Sequence, residues 1–102
     1  MKNSKVKINN KLGLHARAAA KFVRIASGFQ SEIMIRLGNR EVNGKSIMGI
    51  MMLAAGMGTE INIIAIGVDE SEAIISLQNL VDDKFGENEW LFLFKVWVSL
   101  EA

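Results

Sequence analysis

The single histidine of the chain, His15, stands directly before a helical pattern, and Arg17 follows two residues later. The first N–H groups of a helix lack intrahelical partners and carry partial positive charge, so His15 lies beside an anion site. A neutral imidazole attacks phosphorus through a free ring nitrogen, and Arg17 with these N–H groups would neutralise the phosphate oxygens. The pair is therefore a candidate for holding a covalent phosphoryl group. The alternative is ordinary, because a histidine at a helix start is more often a cap or a surface residue.

The composition excludes several other classes of chemistry. The chain has 102 residues, 50% apolar and 23% charged, which is typical of one folded domain. Twelve basic residues face 11 acidic ones with no basic stripe, so nothing predicts nucleic-acid binding. The absence of cysteine excludes disulfides, thiolate nucleophiles and the common zinc sites. A polar start, and an apolar run at 90–100 too short to span a bilayer, predict a cytoplasmic chain without membrane insertion.

Hydrophobic periodicity predicts the elements that position His15. Residues 3–9 alternate as a half-buried strand does, and a helix then follows Gly13 and reaches Gly28 as its C-cap. The next alternating residues form a hairpin around Gly38-Asn39. Ser46 precedes a short apolar helix.

The second half of the chain completes an α+β pattern. The strand at 60–66 is almost wholly apolar and is expected in the centre of the sheet. Asp69 and Glu72 have the spacing of a capping box for a last helix that reaches Gly86. The order β-α-β-β-α-β-α predicts an open-faced β-sandwich, a four-stranded antiparallel sheet with three helices on one face.

Two segments carry a specific resemblance. Residues 13–19 (GLHARAA) and 44–53 (GKSIMGIMML) together resemble the HPr family, the histidine-containing phosphocarriers of the bacterial phosphotransferase system. The likeness covers about residues 2–86, within an expected domain at 1–87. Ala18 departs from the family, whose members generally carry proline there. Since alanine is well tolerated inside a helix, we expect activity to survive.

The resemblance implies roles for six residues. His15 would be phosphorylated by enzyme I, itself charged from phosphoenolpyruvate, and would pass the phosphoryl group to enzyme IIA partners. Arg17 would neutralise the phosphate, and Ser46 would be a regulatory site, modified in many relatives by an ATP-dependent HPr kinase/phosphorylase. The apolar docking face would consist of Ile47, Met48 and Met51. Such a chain is a relay rather than a complete enzyme, and it needs no metal or organic cofactor.

The short apolar helix also has plainer interpretations. Serine is a favoured N-cap, so Ser46 is explained without a kinase, and both roles are compatible. Methionines commonly fill cores. However, the apolar residues between Ile47 and Leu53 cannot all face one sheet, and some are therefore expected to remain exposed as an adaptable patch.

The C-terminal extension, residues 88–102, is not explained by the family. Residues 90–98 alternate in the manner of a strand rich in aromatic side chains. Such a strand is expected to pair with a sheet edge, to cover an apolar patch or to meet another molecule, unless the extension is not native. We favour an ordered strand that supports a dimer or an exchanged assembly through residues 90–100.

Two alternatives to a sugar-transport phosphocarrier remain at this stage. One is a nitrogen-type or purely regulatory phosphocarrier, whose phosphorylation state carries a signal. The other is a small regulatory ligand-binding α+β domain, in which His15 is only a cap and the apolar patch is a dimer interface.

Overall fold

The computed structural model describes residues 1–87 and 97–100. The predicted order of elements is confirmed. In chain order the elements are β1 (Lys2–Lys7), α1 (Ala16–Ser27), β2 (Glu32–Leu37), β3 (Arg40–Asn43), α2 (Ile47–Met52), β4 (Glu60–Ile66), α3 (Glu70–Asp82) and a short turn at Lys84–Gly86.

The four strands form one antiparallel sheet in the order β1-β4-β2-β3. The central position predicted for β4 is confirmed, because this strand pairs with β1 on one side and with β2 on the other. Ile61 and Ile63 point into the core, while Ile64 is buried on the opposite face. Burial on both faces explains why the sequence of β4 is almost continuously apolar.

The helices cover one face of this sheet, as the sequence predicts, and the α+β open-faced sandwich is confirmed. Helix α3 packs on β1 and β4, and α1 packs against both α2 and α3. The buried helical side chains are Ala18, Ala19, Phe22 and Ala26 from α1, Ile50 from α2, and Ala73, Ile74, Leu77 and Val81 from α3. Each helix therefore buries one stripe and leaves the remainder for solvent or partners.

The predicted capping box at Asp69 and Glu72 is wrong. The Asp69 side chain makes no cap hydrogen bond to α3. Its carboxylate instead accepts from the backbone N–H groups of Gln30 at 2.8 Å and Ser31 at 2.9 Å, and from the Ser31 hydroxyl at 2.5 Å. These bonds, above all the one from the Ser31 hydroxyl, hold the pKa of Asp69 below its ordinary value of 3.8. The residue joins the start of α3 to the connection between α1 and β2.

The end of the last helix also differs from the prediction. Helix α3 ends at Asp82, and the backbone at Lys84, Phe85 and Gly86 then takes positive φ angles of 56°, 56° and 72°. Most of the strand predicted at 90–98, namely residues 90–96, lies outside the described residues. Residues 97–100 are helical, so a strand does not reach them. No helix within the described parts of the chain is long and apolar enough to cross a membrane.

Candidate functional site

The loop before α1 is fixed by contacts that depend on Gly13. This glycine has a φ of 64°, and a β-carbon there would lie 2.5 Å from the Ala55 carbonyl oxygen. The next residue, Leu14, donates its N–H to that same oxygen at 2.9 Å. The Gly13 carbonyl in turn accepts from the Asn10 side-chain amide at 2.8 Å. Only glycine fits this position, and the hydrogen bonds of Gly13 and Leu14 fix the backbone that leads into His15.

His15 is the N-cap residue of α1, as predicted, but its side chain does not cap the helix. Its backbone is extended, with φ −78° and ψ 177°, and the imidazole makes no hydrogen bond to the first turn. No acidic residue occupies that turn either. No side chain in residues 1–87 or 97–100 accepts from the leading N–H groups of this 12-residue helix, which begin beside a ring that is 27% exposed.

A carboxylate that the sequence analysis did not identify contacts the imidazole. Nε2 of His15 and Oε1 of Glu87 form an ion pair or hydrogen bond, and Oε2 of Glu87 accepts from the Asn10 amide at 3.1 Å. Glu87 lies 72 positions from His15, beyond the last helix, so no local spacing could have signalled the contact. The one local signal for the contact is that Glu87 directly follows Gly86, a residue type at which the chain can change direction sharply.

Arg17 lies in the first turn of α1 with an exposed side chain. Its guanidinium makes no hydrogen bond or ion pair with the part of the chain that the structure describes. The neighbouring Ala18 is fully buried in the core. Arg17 is thus the first-turn residue available to an incoming anion, while Ala18 packs the helix onto the sheet.

Ser46 has the capping role that its residue type predicts. It is the N-cap of α2, and its hydroxyl accepts from the Gly49 N–H at 3.0 Å. The expected division of the apolar residues is also observed, since Ile50 and Leu53 are buried. The exposed members form what we call the α2 patch: Ile47, Met48, Met51 and Met52. Met48 and Met52 are the most exposed of the four, at 70% and 69%, and a group of exposed apolar side chains on one short helix is typical of an interaction surface.

Other sites are not evident in the described ranges. No group of three His, Asp or Glu side chains there could hold a metal ion. A shallow depression of about 300 Å³ lies on the open face of the sheet, where Met34, Arg36 and Ile64 line it. His15 is not among its lining residues.

The fold and the site together define a class of protein: a small open-faced sandwich that presents a histidine at an uncapped helix N-terminus. The family model described as "PTS HPr component phosphorylation site" matches residues 2–83. A phosphocarrier protein HPr of Neisseria meningitidis serogroup A is 51% identical over 89 residues, 87% of this chain and 100% of the relative.

Solved structures agree with these matches. The crystal structure of HPr-C-His from Thermoanaerobacter tengcongensis is 50% identical with a TM-score of 0.84, covering 86% of this chain and 99% of that one. The HPr dimer from the same organism is 50% identical with a TM-score of 0.69, covering 85% of this chain and 100% of that one. The chain belongs to the HPr family of phosphocarriers of the phosphotransferase system.

Proposed function

We propose that the chain accepts a phosphoryl group on His15 from phosphorylated enzyme I and passes it to enzyme IIA partners. The observation that carries the proposal is that the N-terminus of α1 makes no hydrogen bond to a capping side chain within the described residues. His15 stands at this N-terminus without capping it, and the first turn contains a cation but no acid. The oxygens of a phosphoryl group on the imidazole would accept hydrogen bonds from the leading N–H groups of α1 and from the Arg17 guanidinium.

The exposed apolar residues support docking of several proteins. We assign partner contact to Ile47, Met48 and Met51 of the α2 patch, because α2 packs against the helix that carries His15. Flexible methionines adapt to differently shaped partners. Enzyme I and the enzyme IIA proteins would use this same face in turn.

Ser46 is proposed as a regulatory phosphorylation site for an HPr kinase/phosphorylase. Its side chain is only partly buried, and it lies directly before the first residue of the α2 patch. A phosphate would suit the N-terminus of α2 and would add about −1.5 to −2 charge beside an apolar docking surface. The fold should therefore tolerate the modification while partner binding weakens.

The proposal includes a cytoplasmic location, which rests on family membership, and self-association through residues 90–100. A relative that is 50% identical has been crystallised as an HPr dimer. In this chain, Trp97 and Leu100 in the described segment 97–100 are exposed apolar side chains.

His15→Ala tests the central proposal. We expect the variant to fold and to accept no phosphoryl group from enzyme I and phosphoenolpyruvate. A helix-start residue contributes at most about 0.5–2 kcal/mol through capping, and His15 makes no cap bond, so the melting temperature should change little. The readout is an acid-labile mass gain of one phosphoryl group.

The matching control is the unmodified chain treated identically. If it gains no mass, the chain is not a phosphocarrier and the ligand-binding alternative stands. If a folded His15→Ala protein gains the same mass as the parent chain, His15 is not the acceptor.

A further inference from the structure

The turn at Lys84–Gly86 holds an unfavourable backbone conformation that the surrounding structure enforces. Left-handed φ angles are uncommon for residues other than glycine, yet Lys84 and Phe85 adopt them consecutively. The Phe85 ring is fully buried in the core, and the Phe85 carbonyl accepts from the Lys21 ammonium of α1 at 2.6 Å. The turn is therefore anchored through both its side chain and its backbone to the helix that begins after His15.

The residue that this turn delivers is Glu87, and both of its carboxylate oxygens are engaged. Oε1 meets Nε2 of His15, and Oε2 accepts from Asn10, whose side chain is 1% exposed. The same Asn10 amide nitrogen also donates to the Gly13 carbonyl in the loop that precedes His15. One buried side chain thus fixes both the loop that carries the imidazole and the carboxylate that faces it.

We propose that Glu87 is a positioning residue for phosphoryl transfer at His15, an inference that rests on the proposed function. A carboxylate only accepts hydrogen bonds, so the shared proton belongs to Nε2 of the imidazole. The neutral ring then carries its lone pair on Nδ1, which makes no hydrogen bond within the described residues. Glu87 would select this tautomer and hold the ring orientation, in the way that a carboxylate orients a catalytic histidine.

The contact also matches the charge that develops during transfer. The Nδ1 lone pair forms the new bond to phosphorus, while the bond from phosphorus to the donor breaks and its electron pair stays with the donor. Nε2 keeps its proton, so the ring becomes cationic as the phosphoryl group arrives. Glu87 lies against that ring and stabilises the positive charge.

The return step uses the same arrangement. When a partner's nucleophile attacks phosphorus, the Nδ1–P bond breaks and its electron pair returns to the ring. Because Nε2 is still protonated, the imidazole leaves as a neutral group rather than as an anion. Glu87 is thus expected to serve both acceptance and donation.

The test compares Glu87→Ala and Glu87→Gln with the parent chain, as substrates of phosphorylated enzyme I. Glu72→Ala is the matched control, because Glu72 is an exposed carboxylate on α3. We expect kcat to fall about tenfold or more for Glu87→Ala, with KM nearly unchanged, as for carboxylates that orient other histidines. Glu87→Gln keeps an acceptor oxygen without the charge and should lose less. Glu72→Ala should behave like the parent chain.

A second readout separates positioning from simple stabilisation. In nitrogen-15 NMR spectra of the unphosphorylated chain, the Nε2 proton of His15 should be protected from solvent exchange, and Glu87→Ala should abolish that protection. An unchanged or increased kcat together with an unchanged ring spectrum would overturn the proposal. If the parent chain accepts no phosphoryl group, the proposed function fails, and the ring spectrum still decides whether Glu87 positions the imidazole.

Discussion

The phosphoryl site proposed at His15 would draw on several different groups. The imidazole would supply the nucleophile, the N-terminus of α1 would supply its leading N–H groups, and Arg17 would supply a full positive charge. Glu87 contacts the ring from the opposite end of the sequence. None of these groups makes a large contribution to the core, so single substitutions can separate function from folding.

Arg17→Ala should slow transfer much more than it changes stability. The guanidinium has no partner among the described residues, and it opposes the dipole of α1 until a phosphoryl group compensates it. Loss of one group that stabilises transition-state charge typically costs about a hundredfold in rate. The measurements are the rate of phosphoryl acceptance from enzyme I and the melting temperature. Arg24→Ala, an exposed arginine in the last turn of α1, is the control, and equal rates for the two variants would remove Arg17 from the site.

Ser46→Asp should weaken docking of enzyme I and leave the melting temperature unchanged or slightly higher. A carboxylate can accept from the Gly49 N–H as the hydroxyl does, and negative charge suits a helix N-terminus. We expect a higher KM for the chain as a substrate of enzyme I. Ser71→Asp, which adds the same charge at an exposed position of α3, should leave KM unaltered. A large loss of stability would show instead that the Ser46 hydroxyl is structurally required.

Helix α3 is held at its start by a contact that links distant parts of the chain. The Asp69 carboxylate receives three hydrogen bonds from Gln30 and Ser31, residues almost 40 positions earlier. This contact ties α3 to the connection between α1 and β2. The element that places Glu87 near His15 is therefore fixed at both ends, by Asp69 at its start and by the Lys84–Gly86 turn beyond its end.

Asp69→Asn should lower stability at neutral pH and flatten its dependence on acid. The pKa of Asp69 is depressed in the folded state, so its contribution is fully present above the ordinary value of 3.8 and is lost as the pH falls through the lower folded value. Urea unfolding at neutral pH and at several pH values below 4 measures this effect. The difference between parent and variant should shrink with acid. Asp82→Asn is the control, and a difference that is constant with pH would contradict the assignment.

The sequence predicted most of the architecture because the signals were local. Alternation and helical spacing identify seven elements, and residue types identify Gly13, His15 and Ser46 at turns and caps. Asp69 was misinterpreted because its spacing to Glu72 imitates a capping box, whereas its partner Ser31 is fixed only by tertiary packing. Glu87 was missed for the same reason, since the left-handed turn that directs it toward His15 has no local pattern of its own.

The whole molecule consists of a folded domain with a buried core, residues 1–87, and an apolar C-terminal extension, residues 88–102. The strand predicted at 90–98 can extend no further than residue 96, because residues 97–100 are helical, and each apolar side chain on one of its faces would gain about 1.5–3 kcal/mol from full burial. The helices already cover one face of the sheet, so these side chains would have to cover the open face or meet a second molecule. We therefore expect self-association to depend on the extension and to be absent from residues 1–87 alone.

Truncation after Glu87 tests this expectation by light scattering. We expect the full-length chain to form a dimer or an exchanged assembly and the truncated chain to be a monomer with an intact fold. His15 phosphorylation should persist in the truncated chain, because Glu87 is retained. A monomeric full-length chain with a tail as mobile as a free peptide would contradict the prediction.

The strand order also governs how the chain reaches this fold during synthesis. Among the strands that the structure describes, β1 pairs only with β4, which is translated about fifty residues later, or roughly 3 to 10 s at ordinary elongation rates. Throughout that interval both edges of β1 lack a partner strand. The positive charges of Lys2, Lys5 and Lys7 disfavour pairing of this strand with other nascent chains. Because the chain contains no proline, no slow isomerisation is added to this delay, and the sheet can close as soon as β4 emerges.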